Sequence, residues 1–524
     1  MTTYDVAIIG GGHNGLVCAA YLAREGKRVV VLESRDIVGG FCTTEETVPE
    51  APGFKMNATS MDHVVTNIPV SVVDELELHR FGLRWIVPDP FYSYLSPEGA
   101  TIRFWRDHTR TVEEIRKLSR KDALRYDRFT TTMRDFWHTA APYLQGHPRR
   151  IAPRTLAELA KRGVKARKSL GTAARILLAA PGSVIDEWFE REELKAALGC
   201  YSVASMGSLD EPGTGIVLSV MAVMHFWGAR RPVGGNGAFT GALADCARHH
   251  GAEIRTACPV TEVLLEGDRA VGAVTLAGDA VRAREVVAAL DPWTLLNRLV
   301  PKEAVPEQVR DELRGLAVLH NNISGFKGDV ALSRRPRLAR HGADKAILGS
   351  VILLAPDIDY VRRSVAGTMR GELAPEIPLW VSAPSVYDRS LVPPGSEGDS
   401  LYVYLPAVPY ELRDGDWAVE KDKHLERCLQ IFEDYAPGTG ESVIGAHATS
   451  PQDLTRFSAV HKGNLFHVDM TLSQFGPWRP TPSLAGYRTP VPGLWHTGAG
   501  AHPLGTLNGW SGRTTARELV RTKD

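Results

Sequence analysis

Three glycines and one acid near the start of the chain have the types and spacing to hold a dinucleotide. Gly10, Gly12 and Gly15 stand in the run Gly10-Gly11-Gly12-His13-Asn14-Gly15, and Glu33 follows about 20 residues later. Gly10 allows a tight turn, Gly12 lets the backbone approach a pyrophosphate, and Gly15 lets a following helix sit close on a sheet. The phosphates then face the helix N-terminus at His13 and Asn14, where free N–H groups and the positive dipole end attract anions. Glu33 would accept hydrogen bonds from the adenosine ribose hydroxyls. A carboxylate there repels a 2′-phosphate, which disfavours NADP.

The elements that must position these residues are legible on either side. Residues 4–9 form a short β-rich run. Leu16, Val17, Ala20 and Ala23 recur at helical spacing, Gly26 stops the helix, and residues 28–32 form a second β-rich run that ends on Glu33. Strand, helix, strand and acid in register predict a Rossmann-like α/β unit.

Residues 34–44 read SRDIVGGFCTT. Their glycine pair, Gly39-Gly40, just after the acid resembles the extended fingerprint of FAD-dependent amine oxidases and phytoene desaturases. That resemblance implies FAD rather than NAD. It places Ser34 and Arg35 near the adenosine end and Gly39-Gly40 by the pyrophosphate or flavin. It also implies that Asn57, Ala58 and Thr59 run beside the flavin ring, and that Val260 meets the adenine edge through its backbone.

The C-terminal block, with GNLFHVDMTLSQ at 463–474, YRTP at 487–490 and GAGAHP at 498–503, resembles phytoene dehydrogenase-like and carotenoid isomerase-like flavoproteins. It implies that Gly498, Ala499, Gly500, Leu507, Asn508 and Gly509 contact the FAD phosphates, ribitol and flavin. Ala499 replaces the commoner acid, and Leu504-Gly505-Thr506-Leu507 and Trp510 alter the usual glycine-rich run. The implied architecture is an FAD-binding domain of the glutathione-reductase/amine-oxidase type, assembled from 1–71, 230–300 and 459–524. An α+β substrate domain (72–229 and 301–458) is inserted into it.

Composition bounds the function classes. The 524 residues carry 61 basic and 61 acidic side chains, so no global field recruits nucleic acid. Six scattered cysteines show neither CxxC nor zinc spacing, so neither a dithiol nor a metal centre is expected. A cytoplasmic location is the default expectation, since the first β run begins too near Met1 for a leader peptide. The apolar stretch 212–229 is short for a membrane span and reads as a buried helix. The basic run 161–168 and the apolar residues to 178 read either as a helix resting on a membrane interface or as a solvated helix packed on its own domain.

The remaining segments read as a hairpin at 91–105, helices at 111–118, 122–137 and 421–435, and strands at 318–325 and 401–407. His249-His250 read as surface residues rather than ligands. Aromatic strands in the inserted domain are compatible with a homodimer.

The resemblance implies that the chain dehydrogenates a lipophilic or ring-containing small molecule by hydride transfer to flavin N5. Oxygen, a quinone or another carrier would reoxidise it. Candidate bases are His63, His225 and His502, although the first reading of His225 is a hydrogen-bonded core histidine. Two other readings share the fold: a flavin-dependent polyene cis-trans isomerase, and a non-catalytic prenyl- or lipid-binding protein. No nucleophile elbow, HExxH or P-loop is present.

Overall fold

Strand Tyr4–Ile9 lies at the centre of the first sheet, its residues from Val6 onward buried on both faces. The structure is a computed structural model that describes residues 3–60, 72–342, 345–505 and 507–521. Val29–Leu32 pairs with the central strand in parallel on one side, and Glu253–Arg255 pairs beyond it. On the other side runs the C-terminal half of Ala280–Ala288, flanked in turn by Leu494–His496, again in parallel. The continuous valines of the second strand suit a parallel sheet with both faces covered. Strands Val260–Glu266 and Arg269–Thr275 join Ala280–Ala288 as an antiparallel meander. Helix His13–Arg24 packs on this sheet together with Asn236–His249 and Trp510–Arg521 in one apolar cluster.

The second sheet has seven strands in the order Val443–Thr449, Ile323–Leu332, Ser400–Pro409, Leu379–Ser382, Val351–Leu354, Tyr92–Leu95 and Thr101–Phe104. One face is covered by residues of Arg120–Leu144, Glu192–Ser202, Ile216–Trp227 and Ile358–Met369, the other by Trp417–Tyr435. The strand expected at 318–325 starts late, at Ile323, because Leu319 and Asn322 take left-handed φ values of 50° and 60°. Helices start earlier than apolar spacing alone predicts, because polar caps lie upstream: Asp107, Ser119 and Asp416 each accept a backbone N–H at a first turn. The helix expected at 161–178 extends back to Pro153. Among the described residues, no helix is long and apolar enough to cross a membrane.

Candidate active site

The glycine turn is built by contact, not only by flexibility. A Cβ on Gly15 would lie 2.2 Å from the Gly10 carbonyl oxygen, so only glycine lets the first helix approach the strand this closely. Gly10 itself has φ +100°. Gly12 faces Gly40, whose Cα is the nearest atom to its missing side chain at 4.0 Å. No side chain caps the helix that begins at His13, which leaves its first turn open to an anion. Asn14, just inside it, accepts a hydrogen bond from the Gly512 N–H at 3.3 Å and so ties the first helix to the last.

Glu33 is 6 % exposed. One carboxylate oxygen accepts the Gly11 N–H at 2.7 Å, and the other accepts the Arg35 N–H at 2.9 Å and the Ser34 hydroxyl at 3.1 Å. The acid thereby holds the turn and its own loop in one register. Arg35 pairs with Glu45 at 2.9 Å and stacks on Phe457, while its Nη1 is buried without a partner. The Ala257 and Cys258 N–H groups donate to the Arg35 and Glu33 carbonyls, which brings the start of the Val260 strand to this same end. Gly39 donates its N–H to the Gly11 carbonyl at 2.9 Å, placing the second glycine pair beside the first.

Asn57 links helix Asn236–His249 to the second sheet. Its Oδ1 accepts the Asn236 N–H at 2.8 Å and the Thr44 hydroxyl at 3.0 Å, its N–H donates to the Tyr402 hydroxyl, and its carbonyl accepts Lys327 Nζ at 2.6 Å. Its Nδ2 is buried without a partner. Thr59 donates to the Phe41 carbonyl at 3.0 Å, close to Gly40 in the chain.

The C-terminal glycines reach the same place. Gly498 has φ +126° and donates its N–H to the Ser511 hydroxyl at 3.0 Å. Missing Cβ positions of both Gly10 and Gly498 lie against Leu290, which brings the two ends of the chain together. His467 packs against Gly498 and Gly500; its Nδ1 is buried without a partner, and burial lowers its pKa to about 3. Arg479, fully buried, donates to the carbonyls of Ala499, Asp469, Gln474, Phe466 and Val468. Burial lowers its pKa to about 9, still high enough to keep it charged at neutral pH. Asn508 caps the last helix through Trp510 N–H at 2.8 Å, half-buried Leu507 packs on the cluster around the first helix, and Gly509 presses on Val17.

The histidines resolve differently. His63 lies outside the described residues. His225 is buried with Nδ1 at 2.9 Å from the Trp105 carbonyl and Nε2 at 2.8 Å from the Tyr126 hydroxyl. The carbonyl fixes the proton on Nδ1, so Nε2 accepts from Tyr126 and has no lone pair left for a substrate proton. Burial lowers its pKa to about 3. The geometry therefore assigns His225 to the core, correcting the expectation of a base. His502 is also buried and neutral, its pKa lowered to about 4.

Sequence reasoning does not single out Asn236, His467, Arg479 or Lys327 as site residues. Lys327 carries a signal, since a lysine and Asp329 interrupt a ten-residue strand that is otherwise apolar or small. The pair is buried, and Asp329 also accepts the Thr47 hydroxyl at 2.9 Å. Burial holds the Asp329 carboxyl above its ordinary range.

An uncapped helix N-terminus beside Gly39-Gly40, an acid fixed against the glycine turn, and the unpartnered buried Nη1 of Arg35, Nδ2 of Asn57 and Nδ1 of His467 together fit a flavin dinucleotide. They define the class of protein as a dinucleotide-dependent flavoprotein. Residues 15–327 match the model of the flavin containing amine oxidoreductases, and the chain belongs to that family. It is 32 % identical to pyridine nucleotide-disulfide oxidoreductase domain-containing protein 2 of Rattus norvegicus, over 99 % of this chain and 93 % of that protein. It is 25 % identical to one of the subunits of limonene dehydrogenase from Castellaniella defragrans, over 99 % of this chain and 94 % of that protein. An oxidoreductase from Methanosarcina mazei shares the fold, with a TM-score of 0.63 at 17 % identity over 98 % of this chain and 99 % of that one. The resemblance read from the residues holds: the chain is a phytoene desaturase-like, FAD-dependent oxidoreductase.

Proposed function

We propose that the enzyme dehydrogenates a lipophilic or ring-containing small molecule and passes the electrons to oxygen, a quinone or another carrier. The observation that carries this reading is the aromatic face of the second sheet. Trp380 and Tyr404 are register partners on adjacent strands, and Tyr404 is in turn the register partner of Lys327, whose ammonium reaches Asn57 in the nucleotide half. Tyr201 stacks on Trp380 at 6.0 Å between ring centroids, and Tyr92 meets Trp380 edge-on at 5.7 Å. Lys327, in register with Tyr404, is paired with Asp329. These rings are buried beneath the helices that cover the sheet, and apolar, aromatic surroundings of this kind suit a hydrocarbon better than a free ammonium.

When bound, FAD supplies the two-electron acceptor for C–H oxidation. The chain's part is to orient it through the glycine turns, Glu33 and Asn57, and to exclude water with the aromatic face. The domain division that serves this is 1–71, 230–300 and 459–524 for the cofactor, with 72–229 and 301–458 for the substrate.

Anaerobic mixing of the FAD-loaded enzyme with cyclic terpene hydrocarbons and with aliphatic amines tests the reading. Loss of visible flavin absorbance with a hydrocarbon is the expected result. Reduction by amines alone would overturn it, and turnover of a polyene without net bleaching, only after prior reduction, would favour the isomerase.

A further inference from the structure

A cavity of about 700 Å³ opens at the other end of the first helix, bounded by Tyr21, Tyr143, His147 and the segment that leads into helix Pro153–Leu178. Twelve residues of helix separate it from the glycine turn, roughly 18 Å at 1.5 Å per residue. Its walls carry Arg24, Arg150, Arg154, Arg513, Arg517 and Arg521 against two acids, Glu25 and Glu518.

Part of this charge has an internal explanation. Helices His13–Arg24, Arg120–Leu144 and Trp510–Arg521 all end here, and their negative dipole ends favour basic residues. Glu75 pairs with Arg513 at 2.7 Å and with Arg517 at 3.1 Å. Glu518 serves both Arg150 and Arg521.

Arg154 has no such explanation. It lies in the first turn of Pro153–Leu178, the positive end of a helix, where a cation is disfavoured and where no acid offsets it. It makes no ion pair or hydrogen bond among the described residues. Neighbouring arginines add to the excess: Arg521 and Arg488 help burial to hold the Arg150 guanidinium below its ordinary pKa, and Arg150, Arg149 and Arg521 do the same to His147, whose pKa falls to about 4.

We infer that this cavity is a binding site for a phosphate-bearing anion, held between Arg150, Arg154 and Arg521 beside the start of Pro153–Leu178. Guanidinium forks are matched to phosphate oxygens; at the start of the helix the Thr155 and Leu156 N–H groups already donate to the Ala152 carbonyl, so the arginines carry the site. A volume of about 700 Å³ leaves room beyond a bare phosphate, which fits a phosphate ester whose organic part rests on Tyr143, since the Tyr21 ring is covered by Arg24 and Arg517. A soluble phosphate ester and a phospholipid headgroup share this chemistry.

The test uses FAD-saturated enzyme, so that the dinucleotide site is filled. Inorganic pyrophosphate is titrated by calorimetry, and vesicles of phosphatidylcholine, with or without equimolar phosphatidylglycerol, are used for co-sedimentation. The variants are R154E/R521E and, as a control of equal charge change outside the cavity, R370E/R413E; R154A alone replaces the first if it does not fold. Saturable, salt-weakened pyrophosphate binding that drops roughly tenfold or more in R154E/R521E but not in the control supports a soluble ligand. Sedimentation only with phosphatidylglycerol vesicles, competed by pyrophosphate and lost in R154E/R521E, supports a headgroup. Equal behaviour of wild type and R154E/R521E with both probes, or an equal loss in the control, overturns the proposal.

Discussion

Replacing Gly15 by alanine places the new Cβ 2.2 Å from the Gly10 carbonyl oxygen and 3.0 Å from the Ala289 side chain. Carbon–oxygen contacts settle at roughly 3.3 Å, so the first helix must move about 1 Å away from the strand. Overpacking of this kind costs about 1–3 kcal/mol, offset by about 1 kcal/mol from alanine's better helix propensity. The net loss of stability is therefore modest. The effect on cofactor binding is larger, because the same movement withdraws the N–H groups of the first turn from the phosphates. Weakening two charge-assisted hydrogen bonds costs about 3 kcal/mol, or roughly a hundredfold in FAD affinity. Quenching of flavin fluorescence gives the affinity, and urea unfolding of the apoprotein gives the stability. Gly241 provides the comparison: it lies inside helix Asn236–His249 with no atom within 4 Å of its missing Cβ. Its replacement by alanine is expected to stabilise the fold by about 0.5–1 kcal/mol and leave FAD affinity unchanged. An FAD affinity for Gly15→Ala within about threefold of wild type would refute the reasoning.

Other perturbations separate structural from chemical roles. Lys327→Met leaves Asp329 buried without its cation and is expected to destabilise the fold by about 3–5 kcal/mol; Lys327→Met/Asp329→Leu should recover most of that in the same urea unfolding assay. His320 sits between Asp469 at 2.5 Å and Glu211 at 3.0 Å, which raise its pKa to about 10. Its folded pKa is raised, so its stabilising contribution is full below about 6.5 and is lost as pH rises towards 10. Unfolding curves should therefore show wild type losing more stability between about pH 7 and 10 than His320→Gln, and parallel curves would contradict the assignment. His225→Gln is expected to lower the melting temperature while leaving the pH profile of kcat unchanged, because neither nitrogen is available to substrate.

The local half of the site is readable because its determinants are close in the chain. The turn from Gly10 to Gly15, the acid Glu33 and the pair Gly39-Gly40 all act within one βαβ unit, where spacing maps directly onto geometry. The other half depends on contacts that spacing does not encode. Lys327 meets Asn57 across 270 residues of sequence, and Asn236 meets it across 179. His225 resembles a base in an apolar helix because its partners, Tyr126 and Trp105, stand 99 and 120 residues away. Arg479 satisfies its donors on five carbonyls rather than on an acid, which leaves no charge pattern to read. Sheet order is likewise invisible, since the central sheet draws parallel partners from both ends and the middle of the chain.

Both ends of the chain assemble one dinucleotide cleft, and its occupancy can be read directly. The most direct measurement is the visible spectrum of the purified protein, with denaturation and chromatography of whatever is released, for wild type and Glu33→Ala. One FAD per chain from wild type, and a markedly flavin-depleted Glu33→Ala that remains folded, is the result expected. A colourless wild-type protein that also refuses added FAD, or an undiminished FAD content in Glu33→Ala, would contradict it.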